Sequence, residues 1–296
     1  MLLYLGRNFV QGSALITWVL TLSATTGVAV LIAAIYRLRL QLEASRLELA
    51  RKEAELSFAL EVQRALFPRQ LPKTTSLEFA AVCIPARGIS GDYYDVLELP
   101  DGRVVFAIAD ISGKGISAAI LMANVQALLR ALTQTGATPR DVIARLNQHL
   151  HQVTDDSRFA TFFYAEWDEL ERQLTYINAG HHPPLVFGSL CEKRLTEGGL
   201  PIGLFAHSDF QAGQVALQYG DMIALYSDGI TEAESAGGEE FGEQRLRRII
   251  ESHLSKPLVE IQEAVISSVR EWAGREPQDD MTLLIVRANN FAREGL

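Results

Sequence analysis

ARGISGDYYDV, residues 86 to 96, sets two carboxylates, Asp92 and Asp95, around a flexible Gly91 and a pair of tyrosines. Acids beside a glycine suit a metal loop, because glycine lets oxygen ligands and backbone approach closely, and they suit a plain polar turn equally well. The reading turns on whether other acids recur in the same setting. They do. An apolar strand over Val104 to Ala109 runs into Asp110 and ISGKG, ahead of the helical pattern ISAAILMANVQALLRAL. A second strand, Met222 to Tyr226, runs into Ser227, Asp228 and Gly229, and the last strand follows Gln278, Asp279 and Asp280.

Each group alone has an ordinary explanation. Asp-Gly is a common turn dipeptide, Asp101-Gly102 is expected to be nothing more than a hairpin turn, and Asp110 alone reads as a loop residue or helix cap. Four acidic groups each abutting an apolar strand are a different matter. Magnesium and manganese take hard oxygen ligands and only a few carboxylates, so three to five aspartates at strand ends would form a one-metal or two-metal site.

Working outward, LEFAAVCI, RVVFAIA, ATFFYAEW, LTYINA, PLVF, DMIALYS and MTLLIV are rich in β-branched and aromatic residues and bounded by Gly, Pro and Asp, which predicts strands. Several are apolar at consecutive positions, so both faces of their sheets are expected to be covered. Helical patterns cover Ile116 to Leu132, Pro139 to Val153, Gly242 to Leu254 and Pro257 to Trp272. Runs of strands separated by pairs of helices describe an α+β layered sandwich rather than βαβ alternation. The net charge of −9 argues against a nucleic-acid footprint. Cys83 and Cys191, far apart in sequence, make neither a disulfide framework nor a zinc knuckle and read as structural.

The amino-terminal stretch differs. No charge falls between Asn8 and Tyr36, and Ser13 to Ile35 would span roughly 34 Å as a helix at about 1.5 Å per residue, enough to cross a bilayer. Arg7 alone precedes this run, whereas Arg37, Arg39, Arg46, Arg51 and Lys52 follow it, so the positive-inside bias puts the amino terminus outside and the rest in the cytoplasm. Residues 1–36 are thus expected to hold a single transmembrane helix (about 13–35), and 37–70 a helical linker closed by Pro68 and Pro72. Leu42, Leu49 and Leu56 recur every seven residues, with a competing seam through Leu40, Ala44, Leu47, Ala54 and Phe58. The linker therefore reads either as a parallel coiled-coil homodimer or as a monomeric amphipathic helix.

From about residue 60 to 288 the motifs SGDYYDV, ADISGKGISAAILMA, FATFFYAEWD, YINAGHHPPLVF, GLPIGLF, GDMIALYSDGITEA and QDDMTLLIV resemble, in order, the metal-dependent (PPM-type) serine/threonine phosphatases of the bacterial SpoIIE/RsbU branch. The resemblance implies a PPM-type α-β-β-α sandwich, two antiparallel sheets flanked by helices, over residues 71–290. It implies Asp92, Asp110, Asp228 and Asp279 as ligands of two Mn or Mg ions, with the carbonyl of Ile111 on the second ion and Asp110 bridging. Asp280 would orient Asp279 or hold a third ion, and Asp95 would be structural. The implied reaction is single-step hydrolysis of a phosphoserine or phosphothreonine by water activated between the metals. Ser90-Gly91-Asp92 departs from the GGD common in the family. Where larger relatives carry a His after the bridging aspartate, this chain has Ser112-Gly113-Lys114, so no general acid is evident.

Arg87 would clamp the substrate phosphate, with Gly113 beside it, or be a solvated loop charge. His181 and His182 would serve as acid or ligand, or stabilise the turn before Pro183. By the resemblance the substrate is a phosphorylated STAS-type anti-sigma-factor antagonist. The competing functions are a nucleotide cyclase or phosphodiesterase and a non-catalytic scaffold. A GGDEF-type cyclase, however, sets its second acid directly after the first and has no SDG or DDMT downstream.

Overall fold

A computed structural model describes residues 2–86, 88–154, 158–190, 193–274 and 277–289. By internal contacts the chain divides into two units, Met1–Ser57 and Phe58–Leu296.

The first unit is the leading part of one uninterrupted helix, α1 (Leu2–Arg64). Its side chains from Ile16 to Ser57 are exposed, the apolar ones included. Along the apolar stretch the hydroxyls of Thr21, Ser23, Thr25 and Thr26 donate to carbonyls three or four residues earlier. Polar groups closed within the helix are compatible with hydrocarbon surroundings. Farther along, Glu48–Lys52 and Arg51–Glu55 pair across one turn at 2.8 and 3.0 Å. Leucines of both heptad series, Leu42, Leu49 and Leu56 as well as Leu40 and Leu47, are exposed in the single chain.

In the second unit α1 stops at Arg64, short of the expected Pro68. Its last bonds tighten to the i−3 carbonyl, Leu66 N–H donating to Gln63 O at 2.9 Å. Leu66 and Phe67 then turn in against the core, and Gln126 donates to Leu66 O at 3.1 Å. The elements that follow are β1 (Leu77–Ile84), β2 (Asp92–Glu98), β3 (Val104–Ile111), α2 (Ile116–Thr133), α3 (Pro139–Val153), β4 (Ala160–Asp168), β5 (Gln173–Ala179), β6 (Leu185–Phe187), β7 (Gly198–Gly199), β8 (Gly213–Ala216), β9 (Met222–Tyr226), α4 (Asp228–Thr231), α5 (Gly242–Ser252), α6 (Leu258–Ala273) and β10 (Met281–Ala288).

One sheet is antiparallel throughout, in the order β1-β10-β9-β6; the other runs β2-β3-β4-β5, with β7 and β8 both on the far edge of β5. The expectation of two antiparallel sheets needs one correction, because β7 pairs parallel to β5 at Asn178–Gly198 and Ala179–Gly199. Gly198 permits it: a Cβ there would lie 1.8 Å from Asn178 O.

Three apolar layers result. Phe106, Ile108, Phe163, Trp167, Leu225 and Leu284 fill the space between the sheets. Ala107, Ala109, Phe162 and Tyr164 face α2 and α3, while Ala224, Leu283 and Ile285 face α5 and α6. Both faces of each sheet are covered, which is why their strands read as unbroken apolar runs.

The sequence left β2 in a loop, yet it pairs with β3 along its whole length, from Asp92–Asp110 to Glu98–Val104. The expected Asp101-Gly102 turn closes that hairpin, with Gly102 at φ 85°. Period-two alternation then sends Asp92 and Asp95 to opposite faces. Asp95 is buried on the helix side, where Arg130 of α2 holds it bidentately at 2.7 and 3.0 Å and Tyr93 donates its hydroxyl at 2.7 Å. Stripping a buried carboxylate of its cation leaves an uncompensated charge. Arg130→Met is therefore expected to lower unfolding free energy by about 2–4 kcal/mol in urea denaturation.

Candidate active site

Asp92 and Asp110 are cross-strand partners where β2 begins and β3 ends. They share the parity of Val96, Phe106 and Ile108, all in the core between the sheets, so both carboxylates project toward the second sheet. That sheet brings the remaining acids. Ser227 and Asp228 follow β9, and Asp279 and Asp280 precede β10. The two segments are knit together by Ser227 N–H to Thr282 O at 3.0 Å, Thr282 N–H to Ser227 Oγ at 2.9 Å and Ser227 Oγ to Asp280 O at 3.0 Å. Gly229 is required for this approach, since a Cβ there would stand 2.2 Å from Asp280 O.

Asp280 spans the two sheets. Its Oδ1 accepts from Ala86 N–H at 2.8 Å, and its Oδ2 accepts from Ser90 Oγ at 2.8 Å and Gly91 N–H at 2.9 Å. Ser90 is fully buried and acts as a hub. Its Oγ also accepts from Asp92 N–H at 2.9 Å, while its own N–H and C=O pair with the Gln63 amide of α1 at 2.9 and 2.6 Å. Asp279 accepts from the Asp280 N–H through Oδ1 at 3.0 Å and from Lys114 Nζ through Oδ2 at 2.7 Å.

The crowding of like charges perturbs these carboxyls. Burial, and then the Asp110 charge, holds the Asp92 carboxyl well above the usual carboxylate range. Asp110 is pushed up to about 7, first by burial and then by Asp228, Asp279 and Asp280. Asp228 is raised by burial and by Asp279. Asp92 Oδ2 is buried and meets no donor at hydrogen-bonding geometry, although the Thr282 and Ser227 hydroxyls stand near enough to temper the rise. The carbonyl of Ile111 faces Gly91, 3.0 Å from where a Cβ would be, so a larger residue at 91 would press on that oxygen. Among the described residues no three His, Cys, Asp or Glu side chains already stand close enough to hold an ion jointly. All the donors are hard oxygens, however, and the orphaned Asp92 oxygen together with the mutual repulsion suits a small divalent cation.

The other sequence candidates separate cleanly. Asp95 lies on the opposite face of β2. His181 is buried and held neutral, its pKa lowered to about 3 by burial. Its Nε2 meets Tyr226 O at 3.1 Å and its Nδ1 meets Thr161 Oγ1 at 2.8 Å, so it braces β4 against β9. His182 is exposed, and its charge opposes the rise at Asp228 and Glu232. Cys83, on β1, has its thiol pushed up to about 12 by burial and by Asp92. Gly113 sits at φ 103° in the loop before α2. Arg87 and Cys191 fall outside the described residues. Sequence reading missed Gln63 and the hub role of Ser90; the only signal at Ser90 is a hydroxyl where the motif commonly has glycine.

A two-sheet sandwich flanked by helices, with aspartates gathered at one end between the sheets, is the architecture of PP2C-like phosphatases. The family description "Stage II sporulation protein E (SpoIIE)" matches residues 100–289. Phosphoserine phosphatase RsbU of Bacillus subtilis is 33% identical over 238 residues, covering 79% of this chain and 70% of RsbU. The SiaA-PP2C domain of Pseudomonas aeruginosa superposes with a TM-score of 0.70 at 23% identity, covering 80% of this chain and 97% of that one. RsbX, solved in complex with magnesium, gives a TM-score of 0.55 at 19% identity over 74% of this chain and 99% of RsbX. The chain belongs to the SpoIIE family, and it is a phosphoserine phosphatase. The nucleotide-processing and scaffold alternatives fall away with that membership.

Because Asp110 titrates at about 7 in the fold, well above an unfolded carboxyl, the folded state binds its proton more tightly. This contribution to stability is present at low pH and is lost as pH rises through 7; Asp92 and Asp228 act in the same direction. In chelator, the unfolding midpoint is expected to fall between pH 5 and pH 8. Magnesium or manganese is expected to restore it most at pH 8, with proton release on binding measured by calorimetry.

Proposed function

We propose that this phosphatase is a membrane-anchored enzyme that removes phosphate from phosphoserine or phosphothreonine on a small STAS-type anti-sigma-factor antagonist, using two magnesium or manganese ions. The observation that carries the reading is the group of raised carboxyls, with a buried and unpartnered Asp92 oxygen, at the open end of a phosphatase sandwich. RsbU, the phosphoserine phosphatase similar over most of the chain, supports the substrate class, and the RsbX complex supports the metal.

Asp92, Asp110, Asp228 and Asp279 would hold the ions, with the Ile111 carbonyl as a further oxygen donor. Asp280, with both oxygens engaged by the Ala86–Gly91 segment, orients the loops instead of ligating. Two divalent ions bound there would supply Lewis-acid charge on the phosphoryl oxygens and a water made nucleophilic at neutral pH. The chain itself supplies a cluster of negative side chains that repels a bare phosphate dianion and so couples substrate entry to its neutralisation. His181, held neutral and doubly bonded, fixes the carbonyl of Tyr226 two residues before Asp228.

Residues 1–36 serve as the anchor with the amino terminus outside, 37–70 as a linker that dimerises through its leucines, and 71–290 as the catalytic domain in the cytoplasm. A helix with a fully exposed apolar stretch long enough to cross a membrane supports the anchor; α2 also passes on length and apolarity but is packed on the sheet. The Gln63 clasp on Ser90 gives the linker a route to Asp92, so that rotation or dimerisation in the membrane sets whether Asp92 reaches its ion.

Asp110→Asn and Asp228→Asn are each expected to lower manganese-dependent phosphate release from a phosphoserine peptide by more than about 100-fold, with near-UV circular dichroism unchanged. Turnover of a nucleotide with none of the peptide would overturn the assignment. Removal of residues 1–60 is expected to change both rate and oligomeric state relative to the full-length chain in bilayers. Equality of the two preparations would rule out the linker switch.

A further inference from the structure

The ion pair between Lys114 and Asp279 stands apart from the other contacts at the site. Asp279 accepts one fixed backbone bond, from Asp280 N–H, on Oδ1, and its other oxygen is taken by the Lys114 ammonium at 2.7 Å. The two side chains are 46% and 57% exposed, so the pair is not locked by packing. Lys114 also comes from the segment directly after Asp110 and is flanked by Gly113 and Gly115. Both glycines have positive φ (103° and 74°) and open space where a Cβ would be, so the loop rearranges at little steric cost.

The geometry points to Lys114 as a tethered counter-cation: we propose that its ammonium competes with a divalent ion for the Asp279 carboxylate, and leaves that carboxylate when the ion binds. A mobile point charge on a four-carbon stem serves this purpose, since it neutralises a carboxylate without satisfying the geometry of a metal. The Asp280 N–H bond is made to Oδ1, whereas the lysine occupies Oδ2, so it is the lysine that stands where an ion would approach that oxygen. The consequence is that the Asp279 position fills at a higher ion concentration than it would without the lysine. Lys114 is a positioning residue in this scheme. The inference rests on the metal-dependent reading above.

The test is manganese binding to the full-length chain, by calorimetry and by electron paramagnetic resonance of free Mn2+, for wild type, Lys114→Met and Lys114→Arg. Lys114→Met is expected to tighten the weaker Mn2+ site by about 3- to 5-fold at low salt, the range set by an exposed ion pair, and by less at high ionic strength. Lys114→Arg keeps the charge and is expected to stay within about twofold of wild type. Unchanged or weaker Mn2+ binding by Lys114→Met overturns the counter-cation and leaves the phosphatase reading intact. A wild-type chain that binds no Mn2+ overturns both.

Discussion

The Asp280 carboxylate is the fastening on which the site depends. It belongs to the segment entering β10 in one sheet, yet its three hydrogen bonds go to Ala86, Ser90 and Gly91, which lead into β2 of the other. Hydrogen bonds to a charged acceptor contribute more than neutral ones, about 1.5–3 kcal/mol each. They also fix direction: with Ser90 Oγ bonded to Asp280 on one side and to the Asp92 N–H on the other, the backbone that carries Asp92 is registered against the segment that carries Asp279. Two sheets packed only by apolar side chains would not by themselves set their acidic ends opposite one another, because hydrophobic contact is non-directional.

That registration creates a local conflict which the rest of the fold must absorb. Asp92, Asp110 and Asp228 all have carboxyls raised by burial and by their neighbours, so the folded chain disfavours their joint ionisation. Such strain at a site is characteristic of ion binding and catalysis, where charge is gathered against its own repulsion. Stability comes from elsewhere: three apolar layers, the pairing of buried Asp95 with Arg130 and the neutral His181 brace between β4 and β9. Those two polar contacts flank the acidic end without adding to its charge.

The fold and the recurrence of acids at strand ends were legible in the sequence for distinct physical reasons. Strands buried on both faces carry unbroken β-branched and aromatic runs, and all seven of the predicted ones are present. The helix predicted at Pro139–Val153 ends where expected, with Thr138 capping it and Pro139 at its first turn. β2 escaped notice because its acids and tyrosines carry no apolar signature; its partner β3 makes it a strand. β7 escaped because two glycines hold no side-chain signal, and only the closeness of Asn178 accounts for them.

What the sequence by itself determined was the list of acids, their position at strand ends and the long uncharged helix at the amino terminus. Those features are written in residue type and spacing, and local physical chemistry suffices to read them. Only the tertiary structure decided which acids gather between the sheets and which pair elsewhere. Asp92 and Asp95 are three residues apart on one strand and so face opposite ways, while Asp279 and Asp280 are adjacent but take different partners, Lys114 and the Ala86–Gly91 segment. Roles of this kind depend on hydrogen bonds spanning 165 to 194 residues of chain, and these exist only once two sheets have been brought together.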